Sequence, residues 1–395
     1  MKIGPFTFDR VEFAGSLGDL GTLIPLSVGL MVVCGLSATS VLLMVGLFYM
    51  FTGLYFRLPV PVQPLKLISA VAIAYPAKVS LPIIASSGIL FGAILTFLSF
   101  SGLIDRLAGL FTRPIIRGIQ LGLGLILMTK GIDFIIKPQL LIQHPDSTVS
   151  ILGTALNPLI GIAGFILALT LLSSRRFPAA LILIAAGAAI GMGFGALKPI
   201  NVHLGPTPVQ FYDIRFQDLV TAFVVLVVPQ IPLTLGNAVI GTADTCRSLF
   251  NAGANTQKVT YRSLALSMGL MNLLAGLVGA MPMCHGAGGL AAHYRFGART
   301  GGANIMIGLV FLATAVIFGK TAIALLSCIP NAVLGILLLF SGIELALLIR
   351  DVTIRSELFV SLLIAGIGFA TANMAAAFVM GIIIHHVIRR QHIEL

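Results

Sequence analysis

The sequence predicts an all-α integral membrane protein with fourteen transmembrane segments in a seven-plus-seven inverted repeat. Three observations carry this expectation. Hydrophobic residues make up 58% of the 395 and charged residues only 9%, with a mean hydropathy of +1.07, far from soluble globular values. Apolar stretches able to cross roughly 30 Å of hydrocarbon follow one another from about Glu12 to Val387. Short motifs in the first half recur in the same order in the second, seven segments later.

The segments fall at roughly 12–34, 38–56, 62–75, 82–101, 114–136, 156–173, 178–196, 217–245, 258–280, 285–298, 302–319, 324–348, 356–370 and 372–388. The third and tenth are too short to span. No soluble block separates them, so 1–395 reads as a single membrane domain, with one repeat over about 10–200 and the other over about 215–390. The first ten residues place Lys2, Asp9 and Arg10 around IGPFTF. They lack the apolar core and cleavage site of a signal peptide, so a retained N-terminus is expected.

Cys34, Cys246, Cys284 and Cys328 are dispersed, which indicates neither a disulfide framework nor a structural metal. No motif implies a cofactor. The net charge is +11, and topology accounts for it. With the N-terminus inside, seventeen basic residues face the cytoplasm, among them Arg57, Arg117, Arg175, Arg176, Arg295, Arg299 and Arg389. Six face outward, namely Lys78, Lys130, Lys137, Lys198, Arg215 and Lys320. That positive-inside bias places both termini in the cytoplasm of a cell membrane, with lipid as the surrounding partner and no nucleic acid required.

GTLIPLSVG (21–29) matches PQIPLTLGN (229–237), PVQP (61–64) matches PMCHG (282–286), and RPIIRGIQLG (113–122) matches IPNAVLGILL (329–338). A repeat of odd length forces its two copies into opposite orientations, the pattern of secondary transporters. Residues 62–75 would form a helix of about 21 Å, shorter than the hydrocarbon. Pro59 and Pro61 hold its lead-in extended, and Pro64 suits a first turn where its missing N–H costs nothing. The partner stretch 281–300 repeats the plan with Pro282, Gly286, Gly288 and Gly289. Two half-helices meeting N-terminus to N-terminus favour an anion between them. Lys66 adds a full positive charge.

GSLGDLGTLIPL (15–26), PVPVQPLK (59–66), PQIPLTLGNAVIGTA (229–243) and MPMCHGAGGLAAHYRFGARTGG (281–302) together resemble the molybdate transporter family, a branch related to the SulP sulfate transporters. The likeness runs across nearly the whole chain. It implies a fold shared with sulfate, bicarbonate and nucleobase transporters, divided into core and gate domains. It also implies molybdate as substrate and an elevator-like movement of core against gate. Many SulP relatives carry a C-terminal regulatory domain, which is not expected here because the chain stops at Leu395.

Candidate substrate contacts are Val62, Gln63 and Lys66 on the first half-helix, and Cys284, His285, Gly286, Ala287 and Gly288 on the second. Gln63 would donate its amide to an oxyanion or else cap the helix. His285 would donate to the anion, titrate or cap. Cys284 reads as packing. On segment eight, Gln230, Thr234 and Asn237 share one helical face, and Pro229 with Pro232 marks a locally opened helix there. Asp19, at membrane depth, is expected to be paired, protonated or proton-carrying, with Lys66 as its partner, and Thr22 lies one turn along. Asp244 either titrates or bridges locally to Arg247. Arg295 and Arg299 serve topology and the helix end. His385, His386 and His392 read as a solvated terminus without a metal.

A secondary transporter of tetrahedral oxyanions is the leading reading, with sulfate, tungstate or a nucleobase as alternative substrates and a passive channel as an alternative mechanism. A membrane enzyme is disfavoured by the lack of H-E-x-x-H, G-x-S-x-G or Walker motifs. Proton coupling and oligomeric state stay open, although dimers through the gate domain are common in relatives with this fold.

Overall fold

A backbone this apolar must satisfy its own polar groups, and helices do so within a single segment. The computed structural model describes residues 1–107, 112–141, 148–151, 153–171, 179–194 and 204–391. An N-terminal hairpin, β1 (Lys2–Ile3) and β2 (Phe6–Thr7), precedes α1 (Arg10–Ser16), α2 (Leu20–Val33) and α3 (Ala38–Phe56). Strand β3 (Gln63–Pro64) leads into the short α4 (Lys66–Ala74), followed by α5 (Leu81–Ser101), α6 (Leu103–Leu107) and α7 (Arg113–Ile136). A second hairpin, β4 (Ser150–Ile151) and β5 (Thr154–Ala155), opens α8 (Leu156–Leu171), and α9 (Ala179–Gly193) closes the first half.

The second half begins with α10 (Phe216–Thr221), α11 (Val228–Leu233) and α12 (Thr242–Leu249), joined by π-helical stretches at Ala222–Val227 and Thr234–Gly241. Next come α13 (Tyr261–Leu277), β6 (Met283–Cys284) and the short α14 (Ala287–Arg295). Helices α15 (Gly302–Ser327), α16 (Asn331–Ala346), α17 (Arg355–Thr371) and α18 (Met374–Gln391) complete the fold. Among the described residues six helices are long and apolar enough to cross a membrane. The count is seven if the bent pair α1 and α2, meeting at 48°, forms one span.

Three antiparallel pairs, α3 with α15, α5 with α13 and α7 with α16, tie the first half of the chain to the second. Each seam is built on facing glycines, because small residues let helix backbones approach closely where water cannot drive association. A Cβ at Gly131 would lie 2.5 Å from the Gly335 carbonyl oxygen, and one at Gly124 would lie 2.6 Å from that of Gly342. Helix α7 also packs on α17, and α17 on α18. The α7 group meets the rest along α2 with α16 and α4 with α7.

Segment ends differ from the sequence expectation in one informative place. Residues 324–327 continue α15, and the next helix starts only at Asn331, capped by Pro330. Hydropathy stays high across the break, so only the proline marks it. The opened helix expected around Pro229 and Pro232 takes the form of the two π-helical stretches flanking α11, the kind of ladder shift that prolines accommodate. Arg175, Arg176, Lys198 and His392 lie outside the described residues, as do the side chains of Lys320 and Arg389.

Candidate substrate site

The proline-rich lead-in 59–64 is extended because its prolines fix φ and carry no N–H. Its two-residue strand β3 pairs antiparallel with β6, Gln63 opposite Cys284 and Pro64 opposite Met283, and the Leu65 N–H donates to Pro282 O at 2.9 Å. The carbonyls then need donors, since an unpaired one in hydrocarbon costs several kcal/mol. Side chains supply them in turn. His293 Nδ1 donates to Pro59 O at 2.9 Å, Asn304 Nδ2 to Val60 O, His285 Nδ1 to Pro61 O at 2.9 Å and the Tyr49 hydroxyl to Val62 O at 3.2 Å. The Cys284 thiol donates to Pro64 O at 3.7 Å. Opposite, Asn272 brackets Met283, donating to its carbonyl and accepting from its N–H, both at 2.7 Å.

Behind the short helices α4 and α14 lies a closed polar layer. Gln63, 1% exposed, donates Nε2 to both carboxylate oxygens of Asp19 at 2.8 and 2.9 Å. Both residues press on α14, where a Cβ at Gly289 would fall 2.5 Å from Asp19 Oδ2 and 2.6 Å from Gln63 Nε2. Gln230 Oε1 accepts from the Leu67 N–H at 3.0 Å, capping α4, and its Nε2 donates to Thr234 Oγ1 at 3.0 Å. The His285 ring packs against Phe48 and Phe56. Its Nδ1 faces a carbonyl and therefore carries the hydrogen, which leaves Nε2 to accept from the Ser267 hydroxyl at 2.7 Å.

In front lies an open layer. Gly288 is exposed and a Cβ there would meet nothing within 4 Å, while Ala287, Lys66, Thr22 and Asn237 are half-buried. Gly286 caps α14 without a side-chain hydrogen bond. Among the described residues no acceptor is found for the N–H groups of Ala287, Gly288 and Gly289. A helix start with free N–H groups carries partial positive charge, and Lys66 heads the neighbouring short helix α4.

The expected site residues therefore divide. Lys66, Thr22, Asn237, Ala287 and Gly288 reach the open layer, whereas Val62, Gln63, Gln230, Thr234, Cys284, His285 and Gly286 sit in the closed one. One expectation needs correction, and the structure gives the partners of the others. Asp19 is held by Gln63 rather than by an ion pair with Lys66, because the amide reaches both carboxylate oxygens from the paired strand. The Gln63 amide nitrogen thus faces a protein carboxylate. His285 has both ring nitrogens engaged within the protein. Asp244 makes the local bridge to Arg247 at 3.3 Å, with both side chains more than half exposed.

Sequence reasoning missed His293, Tyr49, Asn304 and Asn272, whose partners lie at sequence separations from 11 to 244. It also missed Glu12, 4% exposed, which accepts from the N–H groups of Arg299 and Thr300. A buried carboxylate beside a Gly-rich loop was the available signal. Two cavities lie elsewhere. One of about 310 Å³ borders Arg247, Phe250 and Thr256, and an apolar one of about 250 Å³ borders Leu23, Val45, Ile184 and Phe311.

In fold the chain is similar to the transmembrane domain of a cyanobacterium bicarbonate transporter, BicA, with a TM-score of 0.66 and 16% identity over 95% of this chain and 96% of that one. It is similar also to the murine anion transporter Slc26a9 in its inward-facing state, with a TM-score of 0.67 and 15% identity over 100% of this chain and 70% of that one. The molecule is thus a membrane protein with a transporter fold. A family described as "Molybdate transporter of MFS superfamily" matches residues 11–127 and 222–345. Molybdate transporter 1 of Arabidopsis thaliana is 31% identical, with 97% of this chain and 89% of the relative covered. Molybdate transporter 2 of the same plant is 30% identical over 97% and 88%, and molybdate transporter 1 of Chlamydomonas reinhardtii 29% identical over 94% and 90%. The chain belongs to the molybdate transporter family, whose members are transporters and not enzymes.

Proposed function

We propose that the protein imports molybdate across the cell membrane, with the anion held against the free N-terminus of α14 beside Lys66. The observation that carries this reading is the trio of N–H groups at Ala287, Gly288 and Gly289 without acceptors, opening onto space at Gly288. A tetrahedral oxyanion is all acceptor and suits such donors. The relatives named as molybdate transporters supply the choice among oxyanions.

With α1 and α2 taken as one segment, α5 with α6 as another and α10 to α12 as a third, fourteen segments form an inverted repeat of seven and seven, with α4 and α14 as half-helices and both termini in the cytoplasm. Helices α7, α8, α9, α16, α17 and α18 make a gate, and the others a core carrying the site. The contacts of α2 with α16 and of α4 with α7 mark the sliding surface, and elevator-like movement of core against gate exposes the anion to each side alternately.

Reconstitution into liposomes tests this. Internalised molybdenum, read by mass spectrometry, is expected to rise with time and saturate with molybdate, to be suppressed by tungstate and to persist in excess sulfate. Sulfate uptake without molybdate uptake would overturn the substrate. Uptake that never saturates would indicate a passive channel.

A further inference from the structure

The Asp19–Gln63 contact leaves one of its own polar atoms without a partner. Gln63 Oε1 is buried and without a hydrogen bond, and it lies against the start of α14, 2.3 Å from where a Cβ of Gly286 would be. A buried acceptor left unpaired is costly, so an arrangement that supplies it with a donor is favoured. The same amide group binds the Asp19 carboxylate through Nε2. An ionised carboxylate offers no hydrogen to Oε1, but a protonated one does.

We infer that Gln63 couples one proton to each transported anion: protonation of Asp19 supplies the donor that Gln63 Oε1 lacks, drawing that oxygen away from the N-terminus of α14 as the anion arrives. This rests on the proposed anion site. In the ionised state Asp19 and Gln63 Oε1 both present negative potential to the donors that an oxyanion must use. In the protonated state Asp19 and Gln63 form a neutral acid–amide ring, Nε2 donating to one carboxyl oxygen and the other oxygen donating its proton to Oε1. The step is a proton transfer alone. Asp19 takes one proton from water on binding and returns it on release.

The groups facing Asp19 from the packed elements fit this role. Lys66 on α4 acts on it electrostatically and Thr22 on α2 turns its side chain toward it. Tyr49 on α3 and Cys284 on β6 also feel its charge, but both donate to backbone carbonyls as neutral groups. Helix α14 meets it at Gly289, which has no side chain to titrate. Lys66 is therefore the lone cation among these groups. It balances Asp19 when the site is empty and the anion when Asp19 is neutral, so net charge at membrane depth stays low in both states.

Calorimetric titration of the purified full chain with sodium molybdate, in buffers of differing ionisation enthalpy at neutral to alkaline pH, measures the protons taken up. Wild type is expected to take up close to one proton per anion on the alkaline side, with affinity falling about tenfold per pH unit there. Asp19→Asn, which keeps an amide partner for Gln63, is expected to take up none and to lose the pH dependence. Gln63→Leu removes both the acceptor for the Asp19 proton and the amide that holds the ionised carboxylate, so fewer protons should be taken up per anion and the pH dependence should flatten. A merely structural role would weaken binding equally at every pH. Binding by wild type without proton uptake, uptake undiminished in Asp19→Asn, or a uniform loss in Gln63→Leu would each overturn the inference while leaving the anion site standing. No molybdate binding by wild type would remove the site reading and this inference with it.

Discussion

The starts of α4 and α14 are built from strands that pair with each other, yet their first turns are treated differently. Helix α4 begins with a side-chain cap, Gln230 accepting from the Leu67 N–H. It carries Lys66, and side-chain donors from other elements hold its lead-in. Helix α14 begins with Gly286, Ala287, Gly288 and Gly289 and has no cap from a side chain. Two related elements have thus divided the work, one fixing position and charge and the other offering free donors. An anion needs both, because donors without a fixed scaffold would reorganise and a scaffold without free donors would not bind.

The comparison breaks most severely at Gly289. A side chain there collides with Asp19 and Gln63, so Gly289→Val should abolish liposomal molybdate uptake and cost at least about 1–3 kcal/mol of stability. Gly288→Ala, one position away and open to space, should leave the thermal transition in place. Next comes the capped helix. Gln230→Leu strands the Leu67 N–H and the Thr234 hydroxyl, and thermal unfolding in detergent should register a loss of about 1–3 kcal/mol.

Lys66→Met separates charge from scaffold. It should weaken molybdate affinity by about tenfold, roughly 1.4 kcal/mol. The smallest effect belongs outside the site. Asp244→Asn removes an exposed bridge worth about 0.2–1 kcal/mol at most and should leave the uptake rate unaltered. A strong uptake defect in that variant would draw Asp244 into the mechanism.

Much of this division was legible in the residues. Three prolines before Lys66 and three glycines after His285 announced the two short helices, because each residue type restricts or frees the backbone in a way that pattern reading detects. The expected 62–75 became β3 and α4, and the expected 285–298 became α14. A two-residue strand has no period to recognise, so the β3–β6 pairing was invisible. The partners of Gln63 and His285 were hidden for a related cause. Their partners, Asp19, Pro61 and Ser267, lie 44, 224 and 18 residues away, and sequence shows a polar group at membrane depth without showing which neighbour satisfies it. The glycine seams between halves escaped notice because each helix carries only one side of them.

The central claim is the position of the anion, and a crystal structure grown with molybdate and measured at the molybdenum absorption edge tests it directly. The account predicts an anomalous peak within hydrogen-bond reach of the Ala287 and Gly288 N–H groups, on the side of α14 that faces Lys66. A peak confined to the cavity beside Arg247 and Phe250, or one lodged in the apolar cavity by Leu23 and Phe311, would contradict it.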